Sequence, residues 1–222
     1  ITPFSRFRAN VFLEGAYDAA TNSMSTAANA QLPLSQPYNT VPWNYDGRES
    51  VETMPADIVD WVLVEARNNN DNSQIVASAA ALLRSDGMIM HTDGKEGAAL
   101  FGLDDMQDYY FVIRHRNHVD VITQGALATS VNTTYNLTDA NNIFSGTNQL
   151  AEVSAGVFAM KAGDFDGNNI ITVADFNKYL IELGGLNAYS SADCTLDSTV
   201  TIADYNAYSN NASAIGVSAV RF

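Results

Sequence analysis

The sequence is poor in cysteine and in basic residues. Cys194 is the single cysteine among 222 residues, so no disulfide can form within the chain. Eleven lysine and arginine residues stand against 25 aspartate and glutamate residues, which gives a formal net charge of −14. A nucleic-acid-binding protein needs a basic surface to neutralise phosphates. The charge therefore argues against nucleic acid as a partner.

Long apolar runs are also missing. No stretch approaches the roughly 18–20 apolar residues of a membrane-spanning helix, so we predict no membrane span. No basic-then-apolar signal peptide opens the chain, which begins at Ile1 as a processed protein or an excised fragment would. A hydrophobic content of 46% is ordinary for a globular protein, and the length suits one large and one small domain.

Two acidic loops near the end of the chain follow one pattern. Oxygen-bearing side chains occupy loop positions 1, 3, 5 and 12, and position 7 can offer its backbone carbonyl. This is the ligand spacing of a calcium loop, because calcium takes roughly six to eight oxygens in a tight turn. The predicted ligands are Asp164, Asp166, Asn168, Ile170 and Asp175 in the first loop, and Asp193, Thr195, Asp197, Thr199 and Asp204 in the second.

The first loop is expected to bind calcium more tightly. Gly167 and Asn169 tolerate the partly left-handed backbone of such a loop, whereas the second loop has Ser198 where glycine is preferred. Thr195 is also neutral at position 3, so the second loop carries fewer charges. Cys194 lies in that loop, and we predict that its side chain packs away from the ion.

Clusters of Asp, Asn, Gly and Thr are also common in simple turns, because these side chains hydrogen-bond their own backbone. The duplication favours calcium. The first loop leads into the phrase TVADFN and the second into TIADYN, and such a repeat is difficult to obtain by accident.

The repeated loop-and-helix pattern, with aspartate at position 12, resembles a dockerin-type module. The resemblance implies two calcium loops, each leading into a helix, with the helices packed antiparallel. The sequence departs from cohesin-binding dockerins at loop positions 10 and 11, which often carry small polar residues there. Those positions are Val173 and Ala174 in the first repeat, and Ile202 and Ala203 in the second. A docking function predicts that these four residues form an exposed patch.

The rest of the chain is predicted to be an antiparallel β-sandwich, so the fold class is mainly β with a small helical module. We place the sandwich at residues 1–160 and the dockerin-like module at 161–222. Stretches rich in β-branched, aromatic and aliphatic residues predict strands. They are Arg8–Glu14, Val59–Arg67, Ala77–Leu83, Ala80–Arg84 and Tyr109–His115. Propensity alone also allows a helix at Ala77–Leu83, because alanine favours helix; we predict a strand there.

The large module also resembles the C-terminal region of large secreted or surface proteins from bacteria of the Bacteroidetes type. The phrases that carry this resemblance are VFLEG, LPLSQPYN, DWVLVE and YFVIRHRNH, followed by the dockerin-like pair. Such regions are usually non-catalytic modules, so the resemblance implies a secreted or cell-surface protein that is not an enzyme.

The segment around Arg114, His115, Arg116 and His118 is the best candidate for catalysis, because histidine titrates near neutral pH. Period-two geometry on a continuous strand places His115 and His118 on opposite faces, which excludes a shared metal. A structural role is favoured: an exposed polar rim in which Arg114 or Arg116 pairs with Asp60 or Glu65.

Aromatic residues raise a second alternative, a carbohydrate-binding module, because aromatic faces stack on sugars. Trp61 lies between aliphatic residues and is predicted to be in the core. Trp43 and Tyr45 lie in a proline-flanked loop and are expected to be exposed.

The chain ends suggest polymerisation. The stretches Ile1–Arg8 and Ile215–Phe222 are β-prone and apolar enough to pair with a sheet edge in a neighbouring copy. Head-to-tail contacts of this kind form an open polymer. The leading hypothesis from sequence is thus a non-catalytic, extracellular, calcium-binding structural protein that assembles into a surface filament. The alternatives are a docking or anchoring module that binds another surface protein, and a module that binds a polysaccharide.

Overall fold

The computed structural model describes residues 4–104, 106–129 and 132–221. The fold is mainly β, with two longer helices near the C-terminal end, which confirms the predicted fold class. The strands are β1 (Phe4–Asn10), β2 (Tyr17–Asp18), β3 (Ser23–Met24), β4 (Ile58–Arg67), β5 (Ile75–Arg84), β6 (Ile89–Met90), β7 (Ala98–Phe101), β8 (Asp108–His115), β9 (His118–Ile122), β10 (Leu127–Ala128), β11 (Thr134–Asn136), β12 (Leu150–Ser154) and β13 (Val157–Met160). The helices are α1 (Gly146–Gln149), α2 (Val173–Glu182) and α3 (Ile202–Asn211).

Two sheets form the sandwich. The larger sheet has the order β10-β8-β4-β5-β6, with β9 also paired to β8, and its described pairings are antiparallel. The smaller sheet has the order β11-β1-β7, in which β1 is antiparallel to β7 and parallel to β11. The rings of Phe7 in β1 and Phe111 in β8 are stacked with centroids 3.7 Å apart, so the two sheets pack face to face.

Strand β4 forms the centre of the larger sheet because its sequence is apolar on both faces. All ten of its residues are buried. Val62 and Val64 join the core between the two sheets, whereas Trp61 and Leu63 pack on the other face with Tyr38. Burial on both faces explains the apolar run Trp61–Val64 within this strand, and it confirms the prediction that Trp61 belongs to the core.

Most predicted strands are confirmed, including Ala77–Leu83, which lies within β5. The predicted strand Arg8–Glu14 is wrong in its second half: β1 ends at Asn10, and Glu14 begins a short 3-10 turn. The chain turns there because it meets the second acidic loop. A Cβ atom at Gly15 would lie 1.9 Å from the carbonyl oxygen of Cys194, so the backbones are in direct contact.

The polar segment of β8 continues as a hairpin rather than as one strand. Arg116 and Asn117 form its turn, and His115 pairs with His118 in antiparallel register. Directly opposed residues share a face, and the Nδ1 atoms of the two histidines lie 3.0 Å apart. The opposite-face placement was therefore wrong. The exposed rim was wrong too, because these residues are between 0% and 5% exposed.

The predicted ion pairs are confirmed in the interior. Arg114 Nε donates to Glu65 at 2.7 Å, and the same guanidinium pairs with Asp120. Arg116 Nε donates to Asp60 at 2.9 Å. Burial alone would raise the pKa of Asp60, but the charge of Arg116 and the hydrogen bond to the neighbouring histidine hold it below its usual range. The residues predicted to form an exposed rim therefore form a buried ionic network between β4 and the hairpin.

The described ends of the chain pack on the chain itself. Strand β1 is hydrogen-bonded to β7 on one side and to β11 on the other. Ile215 forms a β-bridge with Ile170, and Val220 is buried against β8 and β9. The strand-addition hypothesis needed free strands at Ile1–Arg8 and Ile215–Phe222. Residues 1–3 and 222 lie outside the described part, and the remainder is already paired or packed.

No helix in residues 4–104, 106–129 and 132–221 has the length and apolar character needed to cross a membrane. The predicted division at residues 160 and 161 remains a prediction.

Replacement of Arg114 by leucine tests the buried network. Loss of the guanidinium leaves Asp120 buried without its ion-pair partner and leaves Glu65 paired with Arg67 alone, and we expect the free energy of unfolding to fall by about 3–5 kcal/mol. The control is Arg84→Leu, which removes a surface pair with Asp86 and should cost less than about 1 kcal/mol. Urea unfolding in calcium at pH 7 measures both. Equal losses would contradict a stabilising role for the network.

Candidate metal centre

The first acidic loop closes on the start of α2. Thr172 caps the helix, and its Oγ1 accepts a hydrogen bond from Ala174 N at 3.1 Å. Asp175, in the first helical turn, accepts from Thr172 N at 2.8 Å and from Asp166 N at 3.1 Å. This capping box joins position 12 to position 3, so helix formation places the last carboxylate beside the loop.

The body of the loop wraps around Asp164. This carboxylate is 1% exposed and accepts from Asn168 N at 3.1 Å and Asn169 N at 2.8 Å. The backbone is left-handed at Gly167, with φ 71°, and at Asn169, with φ 68°. The predicted tolerance of these two residues for left-handed backbone is confirmed, and it lets the chain turn its polar groups inward.

Three carboxylates converge in this loop. One oxygen from each of Asp164, Asp166 and Asp175 lies within 4.8 Å of the others. Burial, with the charges of Asp120 and Asp175, raises the pKa of Asp164 well above its usual range. Burial also raises the pKa of Asp175. Such a cluster of oxygen ligands suits a hard cation such as Ca²⁺. Asn168 and Ile170 stay predicted ligands.

The second loop repeats these hydrogen bonds position by position. Asp204 accepts from Thr195 N at 3.0 Å and from Thr201 N at 2.8 Å, as Asp175 does in the first loop. Asp193 accepts from Ser198 N at 2.9 Å, as Asp164 does from position 6. The two loops are therefore structural copies as well as sequence copies.

The second loop differs in charge. Thr195 at position 3 offers a hydroxyl, which donates to Asp204 at 3.0 Å and to Asp193 at 3.4 Å, where the first loop has a third clustered carboxylate. Within the described ranges, the first loop holds the one cluster of three acidic ligands. Ser198 adopts φ 70°, which is costlier for serine than for glycine. Calcium at Asp193, Thr195, Asp197, Thr199 and Asp204, and its weaker affinity, remain predictions.

Cys194 is buried and belongs to the hydrophobic cluster beneath the second loop. The predicted packing of this side chain away from the loop interior is thus confirmed. Burial and the neighbouring carboxylates raise the pKa of its thiol well above the usual range.

The hairpin turn of the sandwich holds the start of the second loop. Asn117 Nδ2 donates to the carbonyl oxygens of Ser191 at 3.0 Å and Asp193 at 2.8 Å. The guanidinium of Arg116 donates to the carbonyl oxygen of Ser190. Sequence reasoning missed this role, because it treated the segment as a continuous strand.

The first loop is held to the sandwich by two other contacts. Asn169 Oδ1 accepts from Asp120 N at 2.6 Å. The indole of Trp43 lies over Gly167, where an added Cβ atom would be 2.6 Å from the ring. Trp43 and Tyr45 are half-buried, so the expected exposure of these aromatics was wrong. The sequence held no signal for either contact, because each joins residues far apart in the chain.

Calcium titration tests the order of the two sites. We expect isothermal titration calorimetry to resolve a tight and a weak site. Asp166→Asn should weaken the tight site roughly tenfold or more, and Thr195→Asp should tighten the weak one, because ligand charge tunes affinity. Fluorescence of Trp43, read in a Trp61→Phe background, should change with the tight phase. Equal affinities in the unaltered chain, or a fluorescence change that follows the weak phase, would contradict this order.

Proton release tests the raised pKa values. Burial raises the pKa of Asp193 to about 6, so this carboxyl group is partly protonated in the ion-free protein near pH 6. Because a raised carboxyl pKa opposes folding increasingly as pH rises from about 4 towards 6, calcium should relieve this cost. Calorimetry in buffers of different ionisation enthalpy measures the number of protons released when calcium binds. We expect protons to be released at pH 6 and fewer protons to be released at pH 7.5. Equal release at the two pH values would contradict the raised pKa values.

Comparison with known proteins gives a remote structural similarity. No family model matches the sequence, and it matches no curated protein. Two solved structures, both type II cohesin–X-dockerin complexes from Acetivibrio cellulolyticus, contain a similar chain. The matched chain of the first complex, an N-terminal interface mutant, is 15% identical in sequence to this chain. The matched chain of the second complex, a C-terminal interface mutant, is 14% identical. Each match covers 70% of this chain and 82% of the other, with a TM-score of 0.40, which carries no argument about function.

Proposed function

We propose that this chain is a non-catalytic, calcium-binding docking or anchoring module of a larger extracellular protein. The observation that carries the proposal is the exposure of equivalent apolar residues on both repeats. Val173 and Ile202 occupy loop position 10 of the two repeats and are 68% and 65% exposed. An apolar residue that is exposed at the same position of both repeats is a recurring feature rather than a single scattered exposed residue, and this recurrence favours an interaction role.

The residues that follow them are exposed too. Ala174 and Ala203 occupy position 11. With Val173 and Ile202 they make two equivalent exposed pairs, one on each repeat, which we together call the docking surface. The next residue in each repeat, Asp175 or Asp204, is buried and faces the loop. Each helix start thus turns its carboxylate inward and its apolar residues outward.

Calcium is expected to control this surface. Positions 10 and 11 lie between two predicted ligands, the carbonyl of position 7 and the carboxylate of position 12. An ion held by both would fix the backbone that displays Val173 and Ala174. Because metal binding of this kind is coupled to local folding, partner binding should require calcium.

The competing functions lack comparable support. An enzyme would need the histidines in an accessible cleft, but His115 and His118 are 0% exposed. A sugar platform at Trp43 would need an open ring, but the indole packs edge-on against Tyr38 and lies over Gly167. Self-assembly into a filament, in which the partner is another copy of this chain, stays the competing hypothesis. The experiment below distinguishes it from binding to a different protein.

Affinity capture in calcium from a surface fraction of the source organism should retain a partner, which is then identified, expressed and titrated against this chain. The double variant Val173→Asp, Ile202→Asp should weaken that purified interaction at least 100-fold while leaving calcium affinity unchanged. The matched control is Val41→Asp, an exposed valine outside the docking surface. Chelation should also abolish binding.

Three results would contradict the proposal. They are unchanged affinity in the double variant, binding that is indifferent to chelation, and filaments of this chain alone in electron micrographs. The last result would move the function to self-assembly.

A further inference from the structure

Two adjoining depressions on the surface are lined by residues from the segments 124–127 and 134–148. Their volumes are about 380 and 370 Å³, and both are lined by Gln124 and Asn141. We call the combined feature the amide groove, because its polar lining is mainly carboxamide side chains. These are Gln124, Asn136, Asn141, Asn142 and Asn148.

The amide groove is uncharged. No described lining residue is Asp, Glu, Lys or Arg, although the chain has 25 acidic and 11 basic residues. A larger cavity of about 630 Å³ elsewhere shows the contrast, since Glu52, Asp57 and Arg84 line it. The charged groups bonded to lining residues are Asp139, at Asn141, and Lys161, at the Asn148 carbonyl. Their charges are opposite in sign, so the groove suits a neutral ligand.

The groove has unused hydrogen-bonding capacity. Within the part of the chain that the structure describes, the side chains of Gln124, Thr147 and Asn148 make no hydrogen bond. Asn141 uses its Nδ2 to donate to Asp139 at 2.9 Å, which leaves its Oδ1 as an acceptor. A carboxamide offers a donor and an acceptor side by side, a spacing that matches two neighbouring hydroxyls of a sugar ring.

The backbone and several side chains of the groove are held in place. Asn136 Oδ1 accepts from Thr138 N at 3.0 Å, and the Asn136 carbonyl accepts from Asn142 Nδ2 at 2.8 Å. Gly146 lies so close to Ala140 that a Cβ atom there would be 2.0 Å from its carbonyl oxygen. A preformed site loses less conformational entropy on binding.

One aromatic ring borders the groove in a fixed orientation. The hydroxyl of Tyr135 donates to the carbonyl oxygen of Ala128 at 3.0 Å, and its ring stacks on Phe7 with centroids 5.7 Å apart. Tyr135 is half-buried and lines the second depression. A ring held in this way can present apolar surface to the C–H face of a sugar while the amides bind its hydroxyls.

We propose that the amide groove binds a neutral oligosaccharide. Gln124 and Asn141, shared by both depressions, bind the central sugar hydroxyls, and Tyr135 packs against an apolar sugar face. A sugar is favoured because the residues shared by both depressions, Gln124 and Asn141, are uncharged carboxamides that can bind hydroxyls. This site is separate from the docking surface, so it stands or fails independently of the proposed function.

The test uses the calcium-loaded, ¹⁵N-labelled full chain and neutral hexasaccharides of β-1,4-linked glucose, xylose and mannose as probes. Side-chain NH₂ groups of Asn and Gln are visible in the same NMR spectra as the backbone. We expect at least one hexasaccharide to shift the side-chain signals of Gln124 and Asn141. Gln124→Ala combined with Asn148→Ala should weaken binding roughly tenfold or more, since each substitution removes hydrogen bonds.

The control is Gln74→Ala, an exposed glutamine outside the groove, which should bind as the unaltered chain does. Three results would overturn the proposal. They are the absence of shifts with all three hexasaccharides, shifts centred on Trp43 instead of Gln124, and equal weakening in the Gln74→Ala control. A response to an uncharged Gly/Ser hexapeptide as strong as that to any sugar would also overturn it, in favour of peptide binding.

Discussion

Three carboxylates crowded into one short loop are the constraint on which the C-terminal structure depends. Asp164, Asp166 and Asp175 bring oxygens within 4.8 Å, and two of these side chains are buried. Backbone amides donate to them, but amides do not cancel three negative charges. A cation of high charge and oxygen preference resolves this repulsion while keeping the carboxylates ionised. The start of α2 is tied to the same point, because Asp175 both completes the capping box with Thr172 and is the last predicted ligand.

The two loops are also the places where the helical part meets the sandwich. The buried hairpin turn donates to the start of the second loop through Arg116 and Asn117. Asp120 and Trp43 contact the first loop through Asn169 and Gly167. The ionic network that fixes this hairpin lies in the interior of the larger sheet. Calcium in the loops is therefore expected to stabilise contacts well beyond the helices, and the docking surface rests on the same backbone.

The sequence was sufficient for features determined by residues close together in the chain. The convergence of Asp164, Asp166 and Asp175 and the left-handed backbone at Gly167 and Asn169 are local features, and each follows from a dozen residues. Strands β4 and β8 were predicted because their β-branched and aromatic residues lie between turn residues. For β5 the alanines left helix as an alternative, and pairing with β4 makes it a strand.

Features that depend on distant residues were not predictable. The turn at Arg116 and Asn117 has neither a glycine nor a left-handed residue, so the usual hairpin signal is absent. Its charged residues suggested an exposed rim, yet Asp60 and Glu65 on another strand neutralise them in the interior. The chain ends looked like free strands because their partners β7, β11 and Ile170 lie far away in sequence. The contact of Trp43 with Gly167 was missed for the same reason.

The central claim is that calcium in the loops and the packing of the sandwich hairpin form one coupled system. Hydrogen exchange measured by mass spectrometry, with calcium and after chelation, tests it most directly. The account predicts that chelation speeds exchange in both loops and at the start of α2, and also in the hairpin around Arg116 and in the segment that contains Trp43. Faster exchange confined to the loops and helices, with an unchanged hairpin, would contradict the coupling. Unchanged exchange everywhere would contradict calcium binding itself.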